Sequence, residues 1–375
     1  MINQEPISLR QLTVLTALCV IGDSILVLPA FPAEIARQDA WISGLLGAAA
    51  GIPLLFVFYA LARLYPDQSL FGFLPQLAGK WLGTGISILY MFYFFQMTAV
   101  LAREVGDFLT TQIIPETPIQ SILLMYLAIV IYGTRLGMHT LTRTAELLFF
   151  AFGFLFLILT VFISPQIELQ NVQPVWEQGI KPVMAGAITS ASFPYLEIGS
   201  IFLLLPYVKR TKGTGRSILW GALIGGFVIN ILLVLSILVL NHTITSAQMY
   251  PTYSLAKKIN VAHFLTRLEA MLAVMWFITI FIKTCVNFHA LCLGFQQVLR
   301  LNRYDRITLP LGMIILVFSI ASAPNITYYN EVLGSYWPFF DFTFSAALPL
   351  LLCLAGFVRK KAGRKAGTPH PKLSR

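Results

Sequence analysis

Hydrophobic residues in this chain run in long blocks, from Thr13 almost to the C-terminus, and do not alternate with polar ones. Each block is long enough to cross about 30 Å of hydrocarbon, which takes about 20 helical residues. The pattern predicts ten transmembrane helices, at residues 9–37, 41–63, 81–113, 118–134, 138–163, 181–208, 215–240, 260–299, 307–323 and 336–358. Turn-forming residues separate them: Pro66, Asp67 and Gly72; Pro115 and Pro118; Pro165, Asn171 and Pro174; Pro251; Pro324 and Asn325. No succession of short alternating strands is present, which argues against an outer-membrane barrel.

Composition agrees. Of the 375 residues, 57% are hydrophobic and 11% charged, where a soluble domain carries about 25% charged residues. The net charge of +10 does not indicate nucleic acid, because the cations sit in the connectors and the tail. Their distribution orients the chain. With the N-terminus inside, nineteen Lys and Arg residues fall on the inner side, among them Lys209, Arg210, Lys212, Arg216 and a tail of seven from Arg359 onward. Six fall outside: Arg37, Arg103, Lys181, Lys257, Lys258 and Arg267. The positive-inside rule then places both termini in the cytoplasm and favours an even number of spans. The reading is a transmembrane domain over residues 1–358 and a basic cytoplasmic tail over 359–375, attracted to anionic lipid of the bilayer.

Two spans carry helix-breaking chemistry. Span 1 reads Gly22-Asp23-Ser24-Ile25, with Pro29 and Pro32 beyond; span 6 reads Ser192-Phe193-Pro194-Tyr195-Leu196-Glu197. Gly, Asp and Ser are poor helix formers, and Pro removes a backbone donor. Each break alone reads as a kink. Breaks paired in spans 1 and 6 of ten suit two five-helix repeats of inverted orientation, about 9–163 and 181–358, with substrate bound where the helices unwind. Freed amides suit a carboxylate and freed carbonyls an ammonium, so an amino acid fits such a cavity. Tyr93 and Gln96 on span 3 can face it.

Ionisable residues inside spans cost about 2.5–3.5 kcal/mol on insertion scales, so each needs a role. Glu197 either caps the second half of span 6 or contacts ligand. Lys283 either snorkels or reaches the break at Gly22, where the carbonyls of Leu18 to Ile21 and the Asp23 carboxylate would accept its protons. Arg103, Glu104 and Asp107 read as interfacial, with an Arg103–Asp107 pair, and Glu146 reads as a partner for Arg143. No catalytic set, cofactor motif or metal spacing stands out: the histidines are scattered, and there is neither a phosphate loop nor a G-x-S-x-G. Cys19, Cys285, Cys292 and Cys353 read as packing thiols.

Ile7-Ser8 with Gln11, Leu28-Pro29, Asp39-Ala40-Trp41-Ile42-Ser43, Phe193-Pro194 with Glu197, and Arg267 with Glu269, Trp276 and Lys283 resemble the endospore germination permease family. The likeness runs from about Ile7 to the end of span 10. It implies the inverted-repeat fold of the amino acid–polyamine–organocation superfamily, and a place in the inner membrane of a spore. It also implies an A-type membrane subunit and a C-type lipoprotein as partners, and binding of a small nutrient such as an amino acid. Many transporters of that superfamily carry G-x-G at the first break; Gly22-Asp23-Ser24 departs from this, and an ionised Asp23 repels an acid group. Three functions suit the fold: a ligand-sensing receptor subunit, a secondary amino-acid transporter, or a ligand-gated ion or water channel.

Overall fold

The structure is a computed structural model that describes residues 6–65, 68–208, 213–258 and 269–365. These residues are helical nearly throughout, with one isolated parallel bridge between Ile7 and Val208. Ala30–Leu64, Lys80–Ile113, Met138–Gln166, Ile180–Tyr207, Thr214–Ala247, Glu269–Val298 and Trp337–Arg359 are each long and apolar enough to cross a membrane. Leu9–Ile21, Ile119–Arg135 and the 17-residue Asp305–Ala321 are shorter apolar helices and complete the ten spans.

Span 1 consists of α1 (Leu9–Ile21), α2 (Ser24–Val27) and α3 (Ala30–Ala36). Span 2 is α4 (Ala40–Leu64); a short helix, α5 (Leu70–Ala78), leads into span 3, α6 (Lys80–Phe108). Spans 4 and 5 are α7 (Ile119–Arg135) and α8 (Met138–Ile163). Span 6 begins with α9 (Ile180–Ala191), and span 7 is α10 (Thr214–Ala247). α11 (Pro251–Lys257) precedes span 8, α12 (Glu269–Val298). Span 9 is α13 (Asp305–Ala321), followed across a 99° bend by α14 (Ile326–Ser335). Span 10 is α15 (Trp337–Phe342), a wide turn at Thr343–Ala347, and α16 (Leu348–Lys365).

Five elements differ from the sequence pattern. α5, α11 and α14 are too short to register as spans. α10 continues past residue 240 through a kink where Asn241 has φ +64°. α16 runs to Lys365, beyond the expected end at 358, because the stretch after Phe357 holds no proline and is mostly Arg, Lys and Ala, which favour a helix. The expected start of span 8, and Arg267 with it, lies outside the described residues.

The bundle is layered. The most apolar stretch of span 6 is 89% buried and that of span 8 is 78% buried, against 17% for span 5, so spans 6 and 8 form the centre and span 5 faces lipid. α1 lies along α10 and α12, α4 along α9, and α6 along α12.

The residues behind the resemblance acquire physical roles. Ser8 and Gln11 form a reciprocal capping box at the start of α1. The Ile7 amide donates to the Tyr207 carbonyl at 2.9 Å, joining the entry of span 1 to the end of span 6. Asp39 is fully buried and accepts the Trp176 amide on both oxygens at 3.0 Å, pinning the loop between spans 5 and 6. The Ser43 hydroxyl donates to the Val183 carbonyl at 2.9 Å, tying α4 to α9.

Candidate functional site

The two breaks are built differently. At Gly22 the backbone turns to φ +37°, ψ −125°, a region that strains side-chain-bearing residues. The carbonyls freed there find hydroxyl donors, as buried backbone requires. Thr279 on α12 donates to the Gly22 carbonyl at 2.7 Å; Thr252 on α11 donates to the Ile25 and Leu26 carbonyls at 2.7 and 3.2 Å. Span 6 changes pitch over Ser192–Leu196, where a wide turn accommodates Pro194, leaves helical geometry at Ile198 (φ −90°, ψ +16°), and then continues as a tight 3₁₀ stretch to Tyr207. Such changes of winding inside a span mark hinges and functional sites.

Lys283 lies between the breaks. Its side chain is fully buried, and its ammonium pairs with the carboxylates of Asp23 and Glu197. It therefore does not snorkel. Nor does it reach the carbonyls of Leu18 to Ile21, since the Gly22 amide already occupies the Leu18 carbonyl and Asp23 and Glu197 offer full charges. Its aliphatic stem crosses Gly22 so closely that a Cβ there would come within 2.5 Å of Lys283 Cδ. The space beside Gly22, expected from sequence to be open, is thus occupied by lysine. Glu197 also accepts the indole N–H of Trp337 at 2.6 Å, so it serves as more than a helix cap.

A second polar knot lies next to this one. Asp341 on α15 is fully buried and accepts from the hydroxyls of Ser192 at 2.7 Å and Tyr93 at 3.1 Å. Ser345 donates to the Tyr93 hydroxyl at 3.3 Å. Spans 1, 3, 6, 8 and 10 therefore converge on seven side chains: Asp23, Tyr93, Ser192, Glu197, Lys283, Trp337 and Asp341. The sequence named five of them. Asp341 and Trp337 were missed, although the criterion that flagged Lys283, an ionisable group in an apolar span, also fits Asp341.

The other expected residues divide. Ser24 and Ile25 are buried at the first break, and the Ser24 hydroxyl has no hydrogen-bond partner. Phe193 stacks on Phe31 of α3, with ring centroids 5.1 Å apart. Tyr195 points away from Lys283, its ring lying against Gly51 of α4 and its hydroxyl against Gly226 of α10. Gln96 is half-buried, with a carbonyl oxygen that has no partner.

The expectation of an interfacial Arg103, Glu104 and Asp107 is overturned: all three are buried. Arg103 pairs with Asp107 at 2.9 Å and donates to the carbonyls of Ser319, Ile320 and Ala323, which end span 9. A helix end supplies enough acceptors to hold a guanidinium inside the bundle. Glu146 pairs with Arg10 at 2.9 Å and accepts from Gln11, drawn there because α8 packs on α1.

A cavity of about 550 Å³ opens along the second half of span 1. Val27, Ala30, Phe31 and Glu34 of span 1, Thr189 of α9, the 246–249 connector and α14 line it. Phe31, which stacks on Phe193, is part of this lining.

Solved transporters share this architecture. A sodium-coupled sialic acid symporter in a substrate-bound outward-open state aligns with TM-score 0.62 at 10% identity, covering 97% of this chain and 91% of that one. MHP1, a nucleobase-cation-symport-1 family transporter in a closed conformation, aligns at 0.60 and 12%, covering 99% and 95%. A manganese transporter mutant of Eremococcus coleocola aligns at 0.58 and 11%, covering 96% and 89%. The fold is the 5+5 inverted repeat with broken spans 1 and 6. At the sequence level, spore germination protein KB of Bacillus subtilis is 28% identical, with 96% of this chain and 97% of that protein covered. Spore germination protein B2 of the same organism is 22% identical, with 96% and 98% covered. The family described as spore germination protein matches residues 6–327, and this multi-pass membrane protein belongs to it.

Proposed function

We propose that the protein is the ligand-sensing membrane subunit of a spore germinant receptor, working with an A-type membrane subunit and a C-type lipoprotein. It sits in the inner membrane of the spore with both termini in the cytoplasm. Its ligand is a small nutrient such as an amino acid, which enters through the cavity at α3 and α14 and binds between the breaks. The carrying observation is that the breaks of spans 1 and 6 meet at one buried lysine, while the cavity reaches Phe31, which stacks on Phe193 of the second break. In this reading Lys283 takes the place of a bound inorganic cation, so the response needs no sodium.

The test is germination of spores that carry this chain with its two partner genes, challenged with a panel of common L-amino acids. Phe193→Ala and Ile25→Trp should raise the half-maximal nutrient concentration at least about tenfold, a loss of about 1.4 kcal/mol of binding, at unchanged membrane levels by immunoblot. Dose–response curves identical to wild type would put the ligand elsewhere. Uptake of labelled amino acid by the chain alone in liposomes would favour a transporter. Nutrient-evoked current from the chain alone would favour a channel.

A further inference from the structure

Glu104 on α6 is 2% exposed, and among the described residues neither carboxyl oxygen has a hydrogen-bond partner. Every other buried acid near the breaks is partnered: Asp23 and Glu197 by Lys283, and Asp341 by Ser192 and Tyr93. One ammonium thus stands among four carboxyls, and Arg103 is committed to Asp107. An ionised, unpaired carboxylate in such surroundings is far costlier than a neutral carboxyl lacking one hydrogen bond. The charges that act most strongly on Glu104 are Asp23 on span 1, then Lys283 on α12, then Asp107 on its own helix. Tyr126 of α7, Tyr250 before α11 and Tyr329 of α14 also lie within electrostatic reach of it.

The occupant that neutralises Glu104 has to fit. Both oxygens are closed off from solvent. A metal ion needs several oxygen ligands and room comparable to a water. A ligand ammonium needs more. A proton needs none.

We propose that Glu104 is a proton-binding site of the closed core: its carboxylate takes one proton from water and holds it as a neutral carboxylic acid. Opening the core to water releases that proton. Acid therefore favours the closed arrangement and alkali the open one.

Infrared spectroscopy on the purified chain in nanodiscs tests this without any nutrient, and so independently of the receptor reading. At about pH 7 the wild type should show a protonated carboxylic-acid carbonyl band that shifts with side-chain-¹³C glutamate and is absent from Glu104→Gln. Absence of any label-sensitive band in the wild type overturns the proposal, whether or not the variant folds. A band lost when sodium chloride replaces choline chloride overturns it in favour of a metal ion. A second measurement follows the folded fraction in mixed detergent. Unfolded glutamate ionises above about pH 4.3, whereas the folded chain keeps its proton there, so wild-type stability falls as pH rises. Relative to Glu104→Gln, the wild-type folding equilibrium should fall up to about tenfold per pH unit above that point. Parallel pH profiles overturn the proposal.

Discussion

Replacing Lys283 by Met removes the one cation that holds the carboxylates of spans 1 and 6 together, while keeping a side chain of similar length. The lysine is fully buried and pairs with both Asp23 and Glu197, themselves 3% and 1% exposed. Its loss leaves two carboxylates facing each other in the core. Breaking a buried pair by removing one partner costs about 3–5 kcal/mol. At roughly 2 °C per kcal/mol for a chain of this size, the melting temperature in detergent should drop by about 6–10 °C. The arithmetic has an internal control. Adding Asp23→Asn and Glu197→Gln to Lys283→Met removes the uncompensated charges, and the triple variant should recover most of the loss, because an ion cluster replaced as a unit is close to neutral. The assay is thermal unfolding of the three purified proteins, followed by tryptophan fluorescence. A Lys283→Met protein that melts within about 1 °C of wild type would refute the reasoning. So would a triple variant that melts below the single one.

Other expectations follow from the same geometry. Gly22→Ala puts a Cβ 2.5 Å from Lys283 Cδ and 2.9 Å from the Cys19 carbonyl at positive φ, and should destabilise by at least about 2 kcal/mol, read as a lowered melting temperature. Trp337→Phe keeps the ring but removes the donor to Glu197, and should cost about 1.5–3 kcal/mol in the same measurement. Arg103→Gln strands the buried Asp107 and frees the carbonyls ending span 9; a loss of about 3–5 kcal/mol is expected, and Asp107→Asn on the same background should restore part of it.

The ten spans were legible because bilayer thickness imposes a length on each one, and length survives without knowledge of packing. The breaks were legible because Gly22, Asp23 and Pro194 are poor residues for an uninterrupted helix. The form of the second break was not: that a wide turn, a non-helical Ile198 and a 3₁₀ stretch follow one another depends on what surrounds the proline, here Asp341 and Lys283 from distant spans. The placement of Arg103 failed for a similar reason. From sequence it lies near the end of a span, where interfacial solvation is the default; the carbonyls that hold it lie more than two hundred residues away, around Ser319 to Ala323. Tyr195 shows the limit in the other direction. It adjoins Pro194 in sequence, yet it packs between α4 and α10, because a wide turn redirects alternate side chains.

The 3₁₀ stretch over residues 199–207, beyond the non-helical Ile198, has a mechanical consequence. Nine residues at about 2.0 Å rise occupy roughly 18 Å, against about 13.5 Å in α geometry. Both ends are tethered: Glu197, just before it, to Lys283 and Trp337, and the Tyr207 carbonyl to the Ile7 amide at the entry of span 1. Rewinding the stretch as an α-helix would shorten it by about 4.5 Å and rotate one end against the other by about 180°. The stretch therefore holds reserve length, and it contracts when either end is let go: at the Ile7 amide, or at Glu197 once both the lysine and the indole have released it.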